Sequence, residues 1–192
     1  MSINLKKGGS INLSKEMTKL NKVMIGLGWE KTNMNIDLDA SVFILGSNQK
    51  LIADDYFVFY NNLKSPDGAI QHTGDNRTGA AEDDDEIILA NLETISPNAQ
   101  ELAICVSIHD AINRGHNFGL LKDAYIRIVD VDSKKEITKY DLDISHAFDN
   151  AIVFAQVRKS GNVMNGISRP THKVRWPNYR VWLIYTPKKF TQ

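Results

Sequence analysis

The stretch Thr73–Glu86 reads Thr-Gly-Asp-Asn-Arg-Thr-Gly-Ala-Ala-Glu-Asp-Asp-Asp-Glu, two glycines and a dense set of oxygen side chains between apolar segments. Asp75, Asn76, Thr78, Glu82, Asp83, Asp84, Asp85 and Glu86 offer hard donors with no His or Cys among them, which suits Ca²⁺ or Mg²⁺ over zinc or copper. Consecutive acids repel one another unless a cation sits nearby, and on a regular strand alternate side chains face opposite ways. The run is therefore expected to bend, or to remain solvated. It is no EF-hand, because the alternating Asp-x-Asp-x-Asp-Gly spacing and the terminal Glu of that loop are missing. From charge alone the competing reading is an exposed acidic turn.

A second pair of acids stands on a predicted strand, Ile36–Leu45. Ile36, Leu38, Ala40, Val42 and Ile44 share one face, so Asp37 and Asp39 project together from the other, about 7 Å apart from strand rise. Two acids so placed can reach one ion, or can simply be wet. His109-Asp110 suggests acid-base chemistry, since a carboxylate-oriented imidazole activates a hydroxyl. Adjacent strand residues point apart, however, and there is no Gly-x-Ser-x-Gly elbow. Asp110 is read as completing a metal shell or bonding the loop that follows. His72, His116, His146 and His172 lack zinc-ligand spacing, and no Gly-x-x-x-x-Gly-Lys-Ser/Thr phosphate loop occurs.

The elements that must position these residues are short apolar segments separated by turn residues, the pattern of an all-β sandwich with short helical turns. Lys22–Trp29 alternates Val23, Ile25, Leu27 and Trp29 with Met24, Gly26 and Gly28, a strand whose glycine face meets something closely. Further strands are expected over Tyr56–Tyr60, Ile87–Leu92, 102–108, Ala124–Val129, Lys135–Leu142 and Ala151–Val157. Ser65-Pro-Asp-Gly68 has the chemistry of a tight turn, and Ser96–Glu101 that of one helical turn with Pro97 in first position. Cys105 lies in an apolar run and is read as a buried core residue.

With 192 residues, 42% of them apolar and 24% charged, the chain suits one domain with a substantial core. Its zero net charge hides an asymmetry. Residues 155–192 carry eight bases and no acid, so with 23 of each sign overall, residues 1–154 hold 15 bases against 23 acids. An acidic body argues against a phosphate-tracking nucleic-acid surface there, although the basic end could touch an anionic partner. No run approaches the roughly 20 apolar residues of a membrane span, and the first ten residues contain no apolar signal core, so a cytoplasmic protein is expected.

Several stretches together resemble the TerD, or tellurium-resistance, family of bacterial stress proteins. They are Lys6–Gly9 with Ile11–Lys15, Gly26–Trp29, Asp37–Ser41, Phe57–Asn62, Lys64–Gly68, His72–Gly79, Asp84–Glu86, Ile108–Ala111 and Arg114–Gly119, in the family's order across roughly residues 3–157. The resemblance implies a two-sheet, TerD-like β-sandwich that binds one or two Ca²⁺ ions through acidic loops and has no established enzymatic activity. It also implies a role in resistance to tellurite, phage and colicin, alongside other tellurium-resistance proteins and a TerC-type membrane partner. Carried over, the calcium motif falls on Gly74–Gly79, with Asp75, Asn76 and Thr78, and on Asp84, Asp85 and Glu86, with Asp37 and Asp39 as the other acidic cluster; Glu82 and Asp110 join the candidate ligands from the reading of the residues alone. The runner-up reading is a metal-dependent phosphoester hydrolase using the acidic loop, with His109 as base.

Two departures stand out. The family usually reads Glu-Gly-Asp-Gly where this chain has Ala80-Ala-Glu-Asp83, which removes a donor and some backbone freedom. Residues 1–157 are assigned to the calcium-binding sandwich and 158–192 to an atypical basic tail, either the product of a frame change in the gene or a genuine basic arm. Either way the family's final strand is expected to be missing, with Val181–Tyr185 as a substitute and a homo-oligomer as one consequence of the uncovered edge.

Overall fold

The alternation of Lys22–Gly28 puts Val23, Ile25 and Leu27 in the interior, and the same period of two recurs along the chain to build two antiparallel sheets. The computed structural model describes residues 10–12, 20–79, 83–142, 148–160 and 163–168. Its strands are β1 (Ser10–Asn12), β2 (Lys22–Gly28), β3 (Leu38–Leu45), β4 (Phe57–Val58), β5 (Ile70–His72), β6 (Glu86–Asn91), β7 (Glu101–Ile108), β8 (Tyr125–Asp130), β9 (Glu136–Asp141), β10 (Ala151–Ser160) and β11 (Val163–Ser168). A six-stranded sheet runs β1-β11-β10-β7-β3-β4 and a five-stranded sheet β5-β6-β2-β8-β9. The single α-helical turn among the described residues is α1, Ala111–Arg114.

The core lies between the sheets. Leu38, Ala40, Val42 and Ile44 of β3 and Leu102, Ile104 and Val106 of β7 meet Ile25, Leu27, Ile88, Ile126 and Ile128 of the other sheet. A second apolar cluster covers the outer face of the six-stranded sheet. Phe57 stacks on Phe43 and on Phe59, at centroid distances of 4.2 and 4.5 Å, and Leu45, Ala103 and Cys105 pack beneath them. This explains why β3 and β7 are buried along their whole length, on both faces. Cys105 is a core residue, as its apolar run implies, and burial pushes its thiol pKa up.

Other expectations are modified. Ser96–Glu101 forms a turn, not a helix: Ala99 N–H donates to Ser96 O at 2.9 Å and β7 begins at Glu101. A Ser-Pro start serves a β-turn as well as a helix, and too few residues remain before the strand for the helix to close. The aromatic strand at 56–60 shrinks to Phe57–Val58, because Phe59 and Asn62 already bond each other across a turn. Ser65–Gly68 is the expected tight turn, with Gly68 N–H donating to Ser65 O at 2.8 Å.

The sandwich also takes up residues beyond 157. Strand β10 continues to Ser160, and β11, at Val163–Ser168, pairs with both β10 and β1. A strand thus lies where the divergence of the sequence implied none. Val181–Tyr185 lies outside the described residues.

Candidate metal centre

Antiparallel pairing sends several loops to one end of the sandwich. Leu27 faces Glu86, Gly28 faces Tyr125, Leu38 faces Ile108, and Ala151 faces Ser107, so the chain segments 29–37, 73–79, 83–85, 109–124 and 148–150 share that end. Asp39, Asp75 and Glu86 come together there, with one carboxylate oxygen of each within 4.8 Å of the other two. Oxygens about 2.4 Å from a common centre lie at most about 4.8 Å apart, so the three carboxylates meet the separation limit for sharing one Ca²⁺-sized ion.

Glu86 reaches this point because β4 is short. It pairs with β3 only at Val42 and Phe43, which leaves the upper part of β3 without a strand neighbour on that side. The Glu86 carboxylate takes that place, and its Oε2 accepts from Ala40 N–H at 2.7 Å. His72 supports it from β5. Its Nδ1 accepts from Gly74 N–H at 3.2 Å, so the ring proton of the neutral imidazole sits on Nε2, 3.4 Å from Glu86 Oε2. Glu86 Oε1 is buried with no hydrogen-bond partner among the described residues, and so is Asp37 Oδ1. A buried carboxylate oxygen without a donor is costly unless a cation satisfies it. Burial and then the nearby Asp75 raise the Asp37 pKa; burial raises that of Glu86 against the bonds from His72 and Ala40. Tyr60 borders the cluster, its phenol raised by burial and then by Asp39 and Asp75. His109 lies beside Tyr60, with Nδ1 3.7 Å from Asp39 Oδ2.

Among the described residues, the remaining candidates do not join these three. The acidic run bends at Asp85, whose N–H donates to Leu27 O, so Asp84 falls on the outer face of the five-stranded sheet while Glu86 points between the sheets. Arg127 grips Asp84 with Nε at 2.9 and 3.2 Å and Nη2 at 2.9 Å, and Tyr125 Oη adds a bond at 3.0 Å. Gly26 makes the room, since a Cβ there would stand 2.2 Å from Asp84 Oδ2; Gly28 likewise admits the Tyr125 ring. The close approach on the glycine face of β2 is thereby explained. Asp85 accepts from Trp29 N–H at 3.0 Å and from Asn76 Nδ2 at 2.9 Å. Asn76 Oδ1 accepts from the amide and hydroxyl of Thr78, so these two residues stitch the loop. Gly79, at φ +59°, packs against the Trp29 indole where a Cβ would clash. Asp110 accepts from Asn113 Nδ2 and pairs with Arg114 at 3.5 Å, bonding the loop that follows, one of its two expected roles. Glu82, with Ala80 and Ala81, lies outside the described residues.

Sequence reasoning missed His72, Arg127 and Tyr60. His72 shares the buried face of β5 with Ile70, a placement that its alternation signals. The partnership of Arg127 with Asp84 joins β8 to the acidic loop across 43 residues and has no local signature.

Tyr125 yields a test of this packing. Burial, with Asp84 beside it and bonded to it, pushes the phenol up to about 12 from its ordinary 10.0. Between those values the unfolded chain releases a proton that the folded chain keeps, so stability falls as pH rises through that window. Urea midpoints measured over this alkaline range should decline, and Tyr125→Phe should decline less steeply.

An antiparallel sandwich whose loop end gathers three carboxylates is the class of protein defined here. The TerD domain model matches residues 1–164, and the chain belongs to the TerD family. It is 41% identical over 160 residues to the tellurium resistance protein TerD of Alcaligenes sp, covering 82% of this chain and 83% of that protein. It is 37% identical over 161 residues to general stress protein 16U of Bacillus subtilis (strain 168), covering 82% and 83%. Among solved structures, a TerD homologue from Streptomyces coelicolor A3(2) superposes with a TM-score of 0.65 at 17% identity, over 81% of this chain and 94% of that one, a likeness of fold. The family is one of tellurium-resistance and stress-response proteins. No helix among the described residues is long and apolar enough to cross a membrane.

Proposed function

We propose that this chain is a calcium-binding, non-enzymatic stress-response protein of the tellurite-resistance system, acting in the cytoplasm as a scaffold or partner-binding module. The observation that carries the reading is the convergence of Asp39, Asp75 and Glu86 beside the buried, partnerless oxygens of Glu86 and Asp37. The donors are all oxygens, which favours a hard divalent cation, and Asp75 is exposed enough to give it access. Asp39, Asp75 and Glu86 would hold the ion, Asp37 would lend charge from beside them, and the ion would neutralise the cluster and order the loop end. Hydrogen bonds of His72, Trp29 and Asn76 brace the ligand-bearing loop beside the site. The association of His109 with Asp39 and the Tyr60 ring favours an orienting role for the imidazole over that of a free base. The family relationship extends this reading to tellurite, phage and colicin resistance, with other tellurium-resistance proteins and a TerC-type membrane protein as partners.

Calorimetric titration of chelator-treated protein with Ca²⁺, with Mg²⁺ as competitor, tests the proposal. Saturable binding is expected, lost in Asp75→Ala and in Glu86→Gln and retained in Asp110→Ala. Absence of heat up to millimolar calcium would refute it.

A further inference from the structure

The two ends of the sandwich differ in charge. Among the described residues, the loop-end segments 29–37, 73–79, 83–85, 109–124 and 148–150 hold nine acids against four bases, Lys31, Arg77, Arg114 and Lys122. Asp39 and Glu86, at the adjoining strand ends, add two more acids. At the opposite end, the segments 46–56, 63–69, 92–100 and 131–135 hold five acids against four bases. Two of the loop-end bases are already engaged, Arg77 with Asp75 at 4.0 Å and Arg114 with Asp110 at 3.5 Å. Glu30, Asp83 and Asp123 stand exposed there. A divalent cation would offset two charges and leave this end acidic, so its complementarity to a cationic partner does not depend on a filled metal centre.

The chain carries such a partner itself. Residues 169–192 contain six bases, Arg169, Lys173, Arg175, Arg180, Lys188 and Lys189, and no acid. The direction of β11 favours their encounter with the loop end. Ala151 of β10 faces Ser107 at that end, while Gln156 faces Ser168, the last residue of β11. Since β11 is antiparallel to β10, it runs towards the loop end and stops about 17 Å short of it by strand rise. The 24 residues that follow Ser168 can span up to about 80 Å. Attachment makes the encounter intramolecular, which favours it over a free partner of the same charge. We infer that residues 169–192 dock by charge on the acidic loop end of their own chain, the end that carries the metal centre, and compete there with external cationic partners.

Carbodiimide coupling, which joins a lysine amine directly to a carboxylate, tests this on the full chain as an equal mixture of ordinary and heavy-isotope copies. At low salt, links from Lys173, Lys188 and Lys189 to loop-end carboxylates are expected within single copies. Salt at about 0.5 M should remove most of them, because it screens exposed charges beyond a few ångström. Glu30→Gln/Asp83→Asn/Asp123→Asn should lower the yield of links to the remaining loop-end carboxylates by at least about threefold, as the loss of three surface attractions implies. Asp54→Asn/Asp55→Asn/Asp132→Asn makes the same charge change at the opposite end and should leave that yield unchanged. All six positions are exposed, so both variants should melt as the parent does. Links spread evenly over the two ends, links only between ordinary and heavy copies, or a yield indifferent to salt would each overturn the inference, as would the absence of links.

Discussion

Arg127→Ala is expected to cost about 3 kcal/mol, the lower end of what stripping the partner from a buried charge costs, and to lower the melting temperature by about 6–12 °C in a chain of this size. The effect is large because of where Asp84 is held. Its side chain is 2% exposed, lies over Gly26, and receives three contacts from Arg127 and one from Tyr125. Without the guanidinium, a desolvated carboxylate keeps a single phenolic donor. The lower end of the range applies because Arg127 is itself 27% exposed, which lets water enter once it is gone. Asp84→Ala should cost less, since the arginine left behind remains partly wet and retains Glu136 at 3.9 Å. The double variant should fall short of the sum of the singles, as expected of residues that act on each other. Strict additivity would mean that Asp84 is held by something other than Arg127.

The second large effect concerns the ion. Calcium at 100 times its dissociation constant should stabilise the fold by about 2.7 kcal/mol, raising the melting temperature by about 5–11 °C, and chelator should remove the gain. In Glu86→Gln the calcium shift should vanish, while in chelator the variant should melt at or above the parent. The sign follows from the shifts. Burial raises the pKa of both Asp37 and Glu86, so in the metal-free protein the fold disfavours the charged form of each. A glutamine removes one charge, and its carbonyl can still accept from Ala40 N–H. A variant that melts far below the parent in chelator would show that Glu86 is a structural hydrogen bonder first and a ligand second.

Much of this architecture was legible in the chain because it depends on local alternation. The period of two in Lys22–Gly28 and Leu38–Leu45 assigns an inward face without knowledge of partners, and the glycines of β2 announce a close neighbour without saying which. The sandwich follows from such patterns, and the family from the resemblance of the quoted stretches. What alternation cannot supply is the sorting of the acids. Asp84 and Glu86 are two apart and would share a face on a regular strand; the bend at Asp85 sends one to Arg127 and the other to Ala40. That bend is fixed by residues 41 to 56 positions away from the acids they hold, Tyr125, Arg127 and Trp29, and no short window of sequence contains both partners. Asp75 and Glu86 were found by chemistry, but their convergence with Asp39 requires β3 and β6 to lie in opposite sheets. The strand at Val163–Ser168 escaped for another reason: its residues lack the bulky alternation of the inner strands, and pairing on both sides places it where composition does not.

The pairing of β1 with β11 bears on how the protein is made. Ser10–Asn12 is among the first described residues to leave a ribosome, yet its partner is at residues 166–168. The β2-β8 and β3-β7 pairs can close while synthesis continues, so the interior between the sheets is established well before the border of the six-stranded sheet. Closing a loop of that length contributes to a slow late step, since distant pairing must repay its entropy before it stabilises anything. Until then β10 stands as an open edge, available to a second nascent copy, and translation arrested before Val163 would leave a folded sandwich with that edge permanently exposed.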